Sequence, residues 1–258
     1  MSSLARISWA AALGALALLA TACHKEAAPQ AATAATEGAT AGPTGTATIA
    51  GTVKLEGRAP ENPIIDMSEE PKCRADYPSA PRDPVVVVGP NGGLADVFVY
   101  VKAGLPPDAH YPAPATPVVI DQQGCLYHPR VFGIMVGQAL EIKNSDPLLH
   151  NIKAMGKANR PFNISQPAAN MTTERTFTAP EVMLPFECNV HGWMHAWAGV
   201  LPHPFFATTG PDGAFAIHNL PAGTYTIEAW HPKYGTDTVT VTVAANGTQT
   251  IALTYKAS

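Results

Sequence analysis

Charge is scarce in this chain: 14% of its 258 residues are Asp, Glu, Lys or Arg, 16 basic against 20 acidic, for a net charge of −4. No basic stripe interrupts that balance, which argues against nucleic acid as a partner. Long helical periodicity is missing beyond the first 22 residues. No serine stands in a triad context, so a hydrolase reading has no support. There is no methionine-rich run either: Met155, Met171 and Met183 are scattered. What abounds is punctuation, with 25 prolines and 21 glycines spread throughout, as many short strands joined by turns require. The expectation is an all-β chain with length for two modest domains.

The N-terminus reads as a targeting segment. Arg6 supplies the charge, and the apolar run Trp9 to Leu19 is too short for a stable bilayer span. Leu18-Leu19-Ala20-Thr21-Ala22-Cys23 resembles a bacterial lipoprotein cleavage site. The resemblance implies removal of residues 1–22 and lipidation of Cys23. Several acyl chains on one residue anchor stably where one does not. Leu is more usual at the Ala20 position, so ordinary secretory cleavage stands as the alternative. His24, rather than Asp, follows the cysteine, which points to outer-membrane retention and a lipid-anchored periplasmic or surface location. Residues 23–46 are Ala, Thr, Pro and Gly with few charges, a disordered tether spanning on the order of 25 Å. Loss of Arg6 with the leader shifts the net charge to −5.

The chemistry concentrates in Phe186-Glu187-Cys188-Asn189-Val190-His191-Gly192-Trp193-Met194-His195. Thiol, imidazole and thioether fall at Cys-x2-His-x2-Met spacing. A further imidazole, His150, follows the turn cluster Asn144-Ser145-Asp146-Pro147. Two His and one Cys with a weak axial Met form the ligand set of a blue-copper electron-transfer site, because thiolate and thioether suit Cu(I) and imidazole suits both states. Zinc also takes Cys and His, but Met serves it poorly. A dinuclear purple site needs two bridging thiolates, and this loop has one. Residues 137–144 alternate at period two as a half-buried strand. Residues 175–186 read as strand, turn, strand, so Cys188 falls at a strand end.

The two stretches resemble the plastocyanin/amicyanin branch of the cupredoxins over roughly residues 117–202. That family carries a strand ending in Asn-x-Asp, the first His ligand, and a late Cys-His-Met loop; the spacing here is the short, amicyanin type. The resemblance implies a Greek-key β-sandwich over 117–203 holding one type-1 copper through His150, Cys188, His191 and Met194. His195, directly after Met194, is the alternative axial ligand. It further implies single-electron transfer; the sequence shows no second metal cluster and no nucleophile with its base, so no substrate turnover is expected. The electron would leave by an exposed edge of His191, with Trp193, Met194 and Trp197 as docking surface. A dehydrogenase and a cytochrome are the kinds of partner implied. The alternative function for the same residues is a periplasmic copper store or chaperone, and a third is a sandwich that has lost its metal.

Assigning Cys23 to lipid and Cys188 to metal leaves Cys73 and Cys125 to pair, as an oxidising compartment allows. Closing a loop of that size stabilises by about 4 kcal/mol in the chain-entropy model. The competing reading is a second metal site using Cys125 and His128.

In the remaining chain, residues 46–57 alternate as a strand and 58–83 are Pro-rich and irregular. Val85 to Val88 reads as a buried strand with Leu94 to Lys102 as its hairpin partner across Gly89-Pro90-Asn91-Gly92-Gly93. Residues 47–116 thus form an N-terminal β region. Residues 204–258 show four alternating strands. With Asp212-Gly213-Ala214-Phe215 and Leu220-Pro221-Ala222-Gly223-Thr224-Tyr225 they resemble the carboxypeptidase regulatory-like β-sandwich, an accessory module without catalytic residues. Gly51-Thr52-Val53 through Pro60 resembles the opening of the same module, so the copper domain would be inserted in one sandwich with halves 46–115 and 204–258. His203, His218 and His231 read as surface or capping residues.

Overall fold

The computed structural model describes residues 41–257. The lipidation expected at Cys23, the leader and most of the tether lie outside the described residues. In chain order the elements are β1 (Ala47–Glu56), α1 (Pro71–Ala75), β2 (Phe98–Ala103), β3 (Val118–Gln123), β4 (Leu126–His128), β5 (Val131–Met135), β6 (Ala139–Asn144), β7 (His150–Ala154) and β8 (Phe162–Gln166). They continue with β9 (Met171–Thr176), β10 (Glu181–Glu187), β11 (His195–Leu201), β12 (Phe206–Thr208), β13 (Ala214–Leu220), β14 (Gly223–His231), β15 (Gly235–Val243) and β16 (Thr248–Lys256).

The described residues are nearly all β, and their strands make two pairs of sheets. One pair is the three-stranded β13-β1-β16 and the four-stranded β12-β2-β14-β15. β1 runs antiparallel to β13 and parallel to β16, and β2 lies between β12 and β14. Two N-terminal strands are therefore completed by five C-terminal ones. Their inward residues, among them Ile49, Val53, Val99, Ile217, Ile227 and Leu253, share one core. Strict alternation explains the choice of face: in β1, Ala47, Ile49, Val53 and Leu55 are buried while Lys54 and Glu56 are exposed.

The other pair is β4-β3-β6-β9 and β5-β11-β10-β7-β8, built wholly from residues 118–201. Ile120, Ile142, Ile152, Leu184, Phe186 and Ala198 fill its core. β5 pairs parallel with β11, so that sheet ends on the face turned to the first sandwich. There Phe98, Tyr100, Val131 and Leu201 form a third apolar cluster, with Trp197, Phe206 and Trp230 against it. Two glycines permit this approach. A Cβ at Gly199 would fall 2.2 Å from the Phe98 ring, and one at Gly133 would fall 2.3 Å from the Phe206 ring.

The hairpin expected across Gly89 to Gly93 does not form. Val88 makes only an isolated bridge to Leu94, and Pro90–Gly92 is a 3-10 turn. Asp96, at φ 57°, interrupts the expected partner, and β2 starts beyond it to pair with β12 and β14. His203 and His231 are buried and accept backbone N–H groups from Phe205 and Lys233 through Nδ1, so each ring caps a turn. Burial brings both rings down to about 4.

Candidate metal centre

β10 and β11 are paired up to Glu187 opposite His195, and the seven residues between them fold tightly. Met194 N–H donates to the His191 carbonyl, and Cys188 N–H donates to the Met194 carbonyl. The fold returns the Cys188 sulfur under the loop, where it accepts the His191 N–H at 3.4 Å. The loop is pinned to β7 by Asn151, whose Oδ1 accepts the Asn189 N–H at 3.0 Å.

His150 opens β7 and points into the same space. The segment before it is knotted by Asn144. Its Nδ2 donates to the carbonyls of Leu148, Gln166 and Ala168, and its Oδ1 accepts the Asp146 N–H. This turns the Asp146 carboxylate inward. Oδ1 accepts Gly124 N–H, while Oδ2 accepts Cys125 N–H and bonds His150 Nε2 at 2.7 Å. With Nε2 committed to the carboxylate, His150 presents Nδ1 to the interior.

His150 Nδ1 lies 3.0 Å from His191 Nδ1, and His191 Nδ1 lies 3.8 Å from Cys188 Sγ. Donor atoms of His150, Cys188 and His191 all lie within 4.8 Å of one another, and all three residues are buried. Unlike most buried polar groups, the two Nδ1 atoms meet face to face, an arrangement that a shared proton or a metal ion satisfies. Burial pushes the Cys188 thiol up, but hydrogen bonds from His150, His191 and the backbone outweigh it and bring it down to about 5. Cys188 is the only free cysteine among the described residues, and these hydrogen bonds favour its thiolate form. Burial likewise opposes ionisation of Asp146, yet the bonds from His150, Cys125 and Gly124 hold its carboxyl below the usual range. A thiolate, two oriented imidazoles and a carboxylate behind one of them suit a soft or borderline metal such as copper.

Met194 is fully buried in the same apolar core as Cys188. His195 is turned elsewhere. Ala196 and Ala198 face the core, so His195 and Trp197 occupy the opposite face of β11, with their rings 6.2 Å apart. Trp197 in turn lies under Arg130 and beside Trp230. His195 is thus not among the residues the structure gathers with Cys188.

The expected exposed edge of His191 is not found. The ring is buried, with Nε2 3.7 Å from Cys73 Sγ and 3.9 Å from Glu70, and the Trp193 ring is 5.2 Å away. Residues 64–77 fold over the loop because Cys73 is joined to Cys125. Ile65 and Met67 are buried in the second core, and Tyr77 donates to the Gly124 carbonyl. Trp193 itself is tied down by its Nε1–H to the Cys125 carbonyl. With Cys125 in the disulfide, a second site from Cys125 and His128 is not present. Two residues of the centre escape sequence reasoning. Asp146 belongs to the Asn-x-Asp pattern that precedes His150, but the pattern gives it no role at the centre. Tyr127, which donates to the Asn151 carbonyl and borders Cys188, carries no signal at all.

Residues 202–256 match the family model of the carboxypeptidase regulatory-like domain. No curated protein matches the chain. Among solved structures, a copper-containing nitrite reductase from Thermus scotoductus is similar at 23% identity and a TM-score of 0.32. That match covers 34% of this chain and 23% of the reductase, so less than a quarter of that protein is represented. A mutant of amicyanin in the Cu(I) state is 17% identical over 33% of this chain and 81% of its own, with a TM-score of 0.29. A purple cupredoxin from Nitrosopumilus maritimus is 20% identical over 32% of this chain and 98% of its own, with a TM-score of 0.28.

Proposed function

We propose that the protein is an extracytoplasmic single-electron carrier whose centre would be one copper ion held by His150, Cys188 and His191, with Met194 as the fourth ligand. The observation that carries this reading is the convergence of a buried thiolate and two Nδ1 atoms within 4.8 Å of one another. Copper bound there supplies a one-electron couple between Cu(I) and Cu(II). The chain's own residues do the rest. Asp146 fixes the His150 tautomer so that Nδ1 keeps its lone pair. Asn151 holds the Cys188 loop at one distance from His150. The apolar core beneath Cys188 excludes water and limits rearrangement between states.

The lipid anchor at Cys23 and a periplasmic or surface location rest on the leader pattern and on the Cys73–Cys125 disulfide, which suits an oxidising compartment. The partners are redox proteins of the cytochrome or dehydrogenase kind, and the protein itself turns over no substrate. The carboxypeptidase regulatory-like sandwich serves as the platform on which the centre is mounted.

Spectroelectrochemical titration of the copper-loaded protein separates a carrier from a store. The carrier reading expects a reversible one-electron couple, with the visible thiolate band bleaching and returning over repeated cycles. Loss of copper on reduction, or a form that cannot be reoxidised, favours the store or chaperone.

A further inference from the structure

The two ring nitrogens of His191 face two different sulfur environments. Nδ1 is turned inward to Cys188 and His150, and Nε2 is turned outward to Cys73 Sγ at 3.7 Å. Cys73, Cys125 and His191 place their donor atoms within 4.8 Å of one another, as do Cys125, Asp146 and His150. All of these residues are buried. A disulfide needs no imidazole beside it, and a simple staple between residues 73 and 125 would serve as well at any point of the loop. Instead Cys73 Sγ lies against His191 Nε2, and Cys125 lies within 4.8 Å of donor atoms of both His191 and His150.

We propose that Cys73 and Cys125, when reduced, form with His191 a second, outer Cu(I) site, which the disulfide closes. Two thiolates and an imidazole nitrogen are soft and borderline donors that favour Cu(I) over the divalent ions. The site shares His191 with the inner set and so rests on the copper reading above. Reduction breaks the Cys73 Sγ–Cys125 Sγ bond. Two electrons and two protons come from a dithiol, which leaves as its own disulfide. With the inner set empty the His191 ring proton resides on Nδ1 and Nε2 offers its lone pair, so binding Cu(I) displaces only the two thiol protons to solvent. Oxidised, the same sulfurs have no thiolate to offer, so metal binding and the covalent cap over His191 are mutually exclusive states. The cap is built to allow this. Residues 64–77 carry only a five-residue helix and hold to the neighbouring sandwich through Ile65, Met67, the Tyr77 hydroxyl and the disulfide itself.

The test uses the full chain carrying Cys188→Ala, to disable the inner set, and Cys23→Ala, to remove the thiol that precedes the described residues. Cu(I) is offered in competition with the coloured chelator bathocuproine disulfonate. The disulfide form and the phosphine-reduced, desalted form are compared anaerobically. The proposal expects one equivalent of Cu(I) retained by the reduced form and none by the oxidised form. It also expects a weakening of about tenfold or more on adding His191→Ala. That last variant distinguishes a built site from two thiols on a loosened loop, and circular dichroism confirms that both reduced forms stay folded. Retention by the reduced form no better than that of Cys73→Ser/Cys125→Ser protein overturns the proposal, as does indifference to His191→Ala. Failure of the inner-site reading is distinguishable, because it is read on the oxidised wild-type protein as absence of the Cys188-dependent visible band.

Discussion

Replacing Asp146 tests how much of the centre is held from behind. Asp146 is 4% exposed and its carboxylate accepts three hydrogen bonds: Gly124 N–H at 2.8 Å, Cys125 N–H at 2.8 Å and His150 Nε2 at 2.7 Å. Asp146→Ala leaves three buried donors without a partner, at about 1–3 kcal/mol each. Water entering the vacated space relieves part of this, so a loss of about 3–6 kcal/mol is expected for the metal-free protein. Asp146→Asn fills the space but turns an NH2 toward groups that donate. If the amide replaces Oδ2, His150 can bond to it only through a deprotonated Nε2, which moves the ring proton to Nδ1. That is the nitrogen facing His191 and Cys188. The asparagine variant is therefore less destabilised than the alanine one, yet loses about 10–100-fold in copper affinity. Urea denaturation of the metal-free forms and chelator competition of the loaded forms read the two effects separately. An asparagine variant with wild-type affinity would refute the tautomer argument. An alanine variant with wild-type stability would refute the accounting of buried donors.

With the disulfide intact and Cys23 replaced, the ultraviolet thiolate absorbance of the metal-free protein reports Cys188 alone. Its midpoint is expected near pH 5 rather than the ordinary thiol range, so copper affinity should be insensitive to this proton above pH 5 and fall below it. His195→Ala is expected to leave the visible and EPR spectra of the copper form unchanged, since the ring lies beside Trp197 on the far face of β11; a shifted spectrum would place His195 at the metal. Gly199→Val drives a side chain into the Phe98 ring and is expected to cost about 1–3 kcal/mol or more by overpacking, read as a lowered urea midpoint with an unaltered copper spectrum.

The strands of residues 137–144 and of the C-terminal 55 residues were legible because each alternates over a half-buried face. The loop was legible for a different reason: three metal-binding side chains within seven residues survive any uncertainty about strand ends. What covers the loop was not. Residues 58–83 have no period, and their placement over His191 follows from a covalent link and from Ile65 and Met67 finding a core that belongs to distant strands. The run Val85 to Val88 misled for the opposite reason. Four β-branched residues have the propensity for a strand, but the partner they require was taken by β12 and β14. Asp146 looked like a turn residue, which it is, and its second role depends on Asn144 turning it inward.

The central claim, a copper ion bound by the Cys188 thiolate between two imidazoles, is tested most directly by the visible absorption and EPR spectra of the copper-loaded protein beside Cys188→Ala. An intense thiolate-to-copper charge-transfer band that vanishes in the variant is the predicted result. A nearly colourless tetragonal copper spectrum, unchanged by Cys188→Ala, or no copper uptake at all, would contradict it.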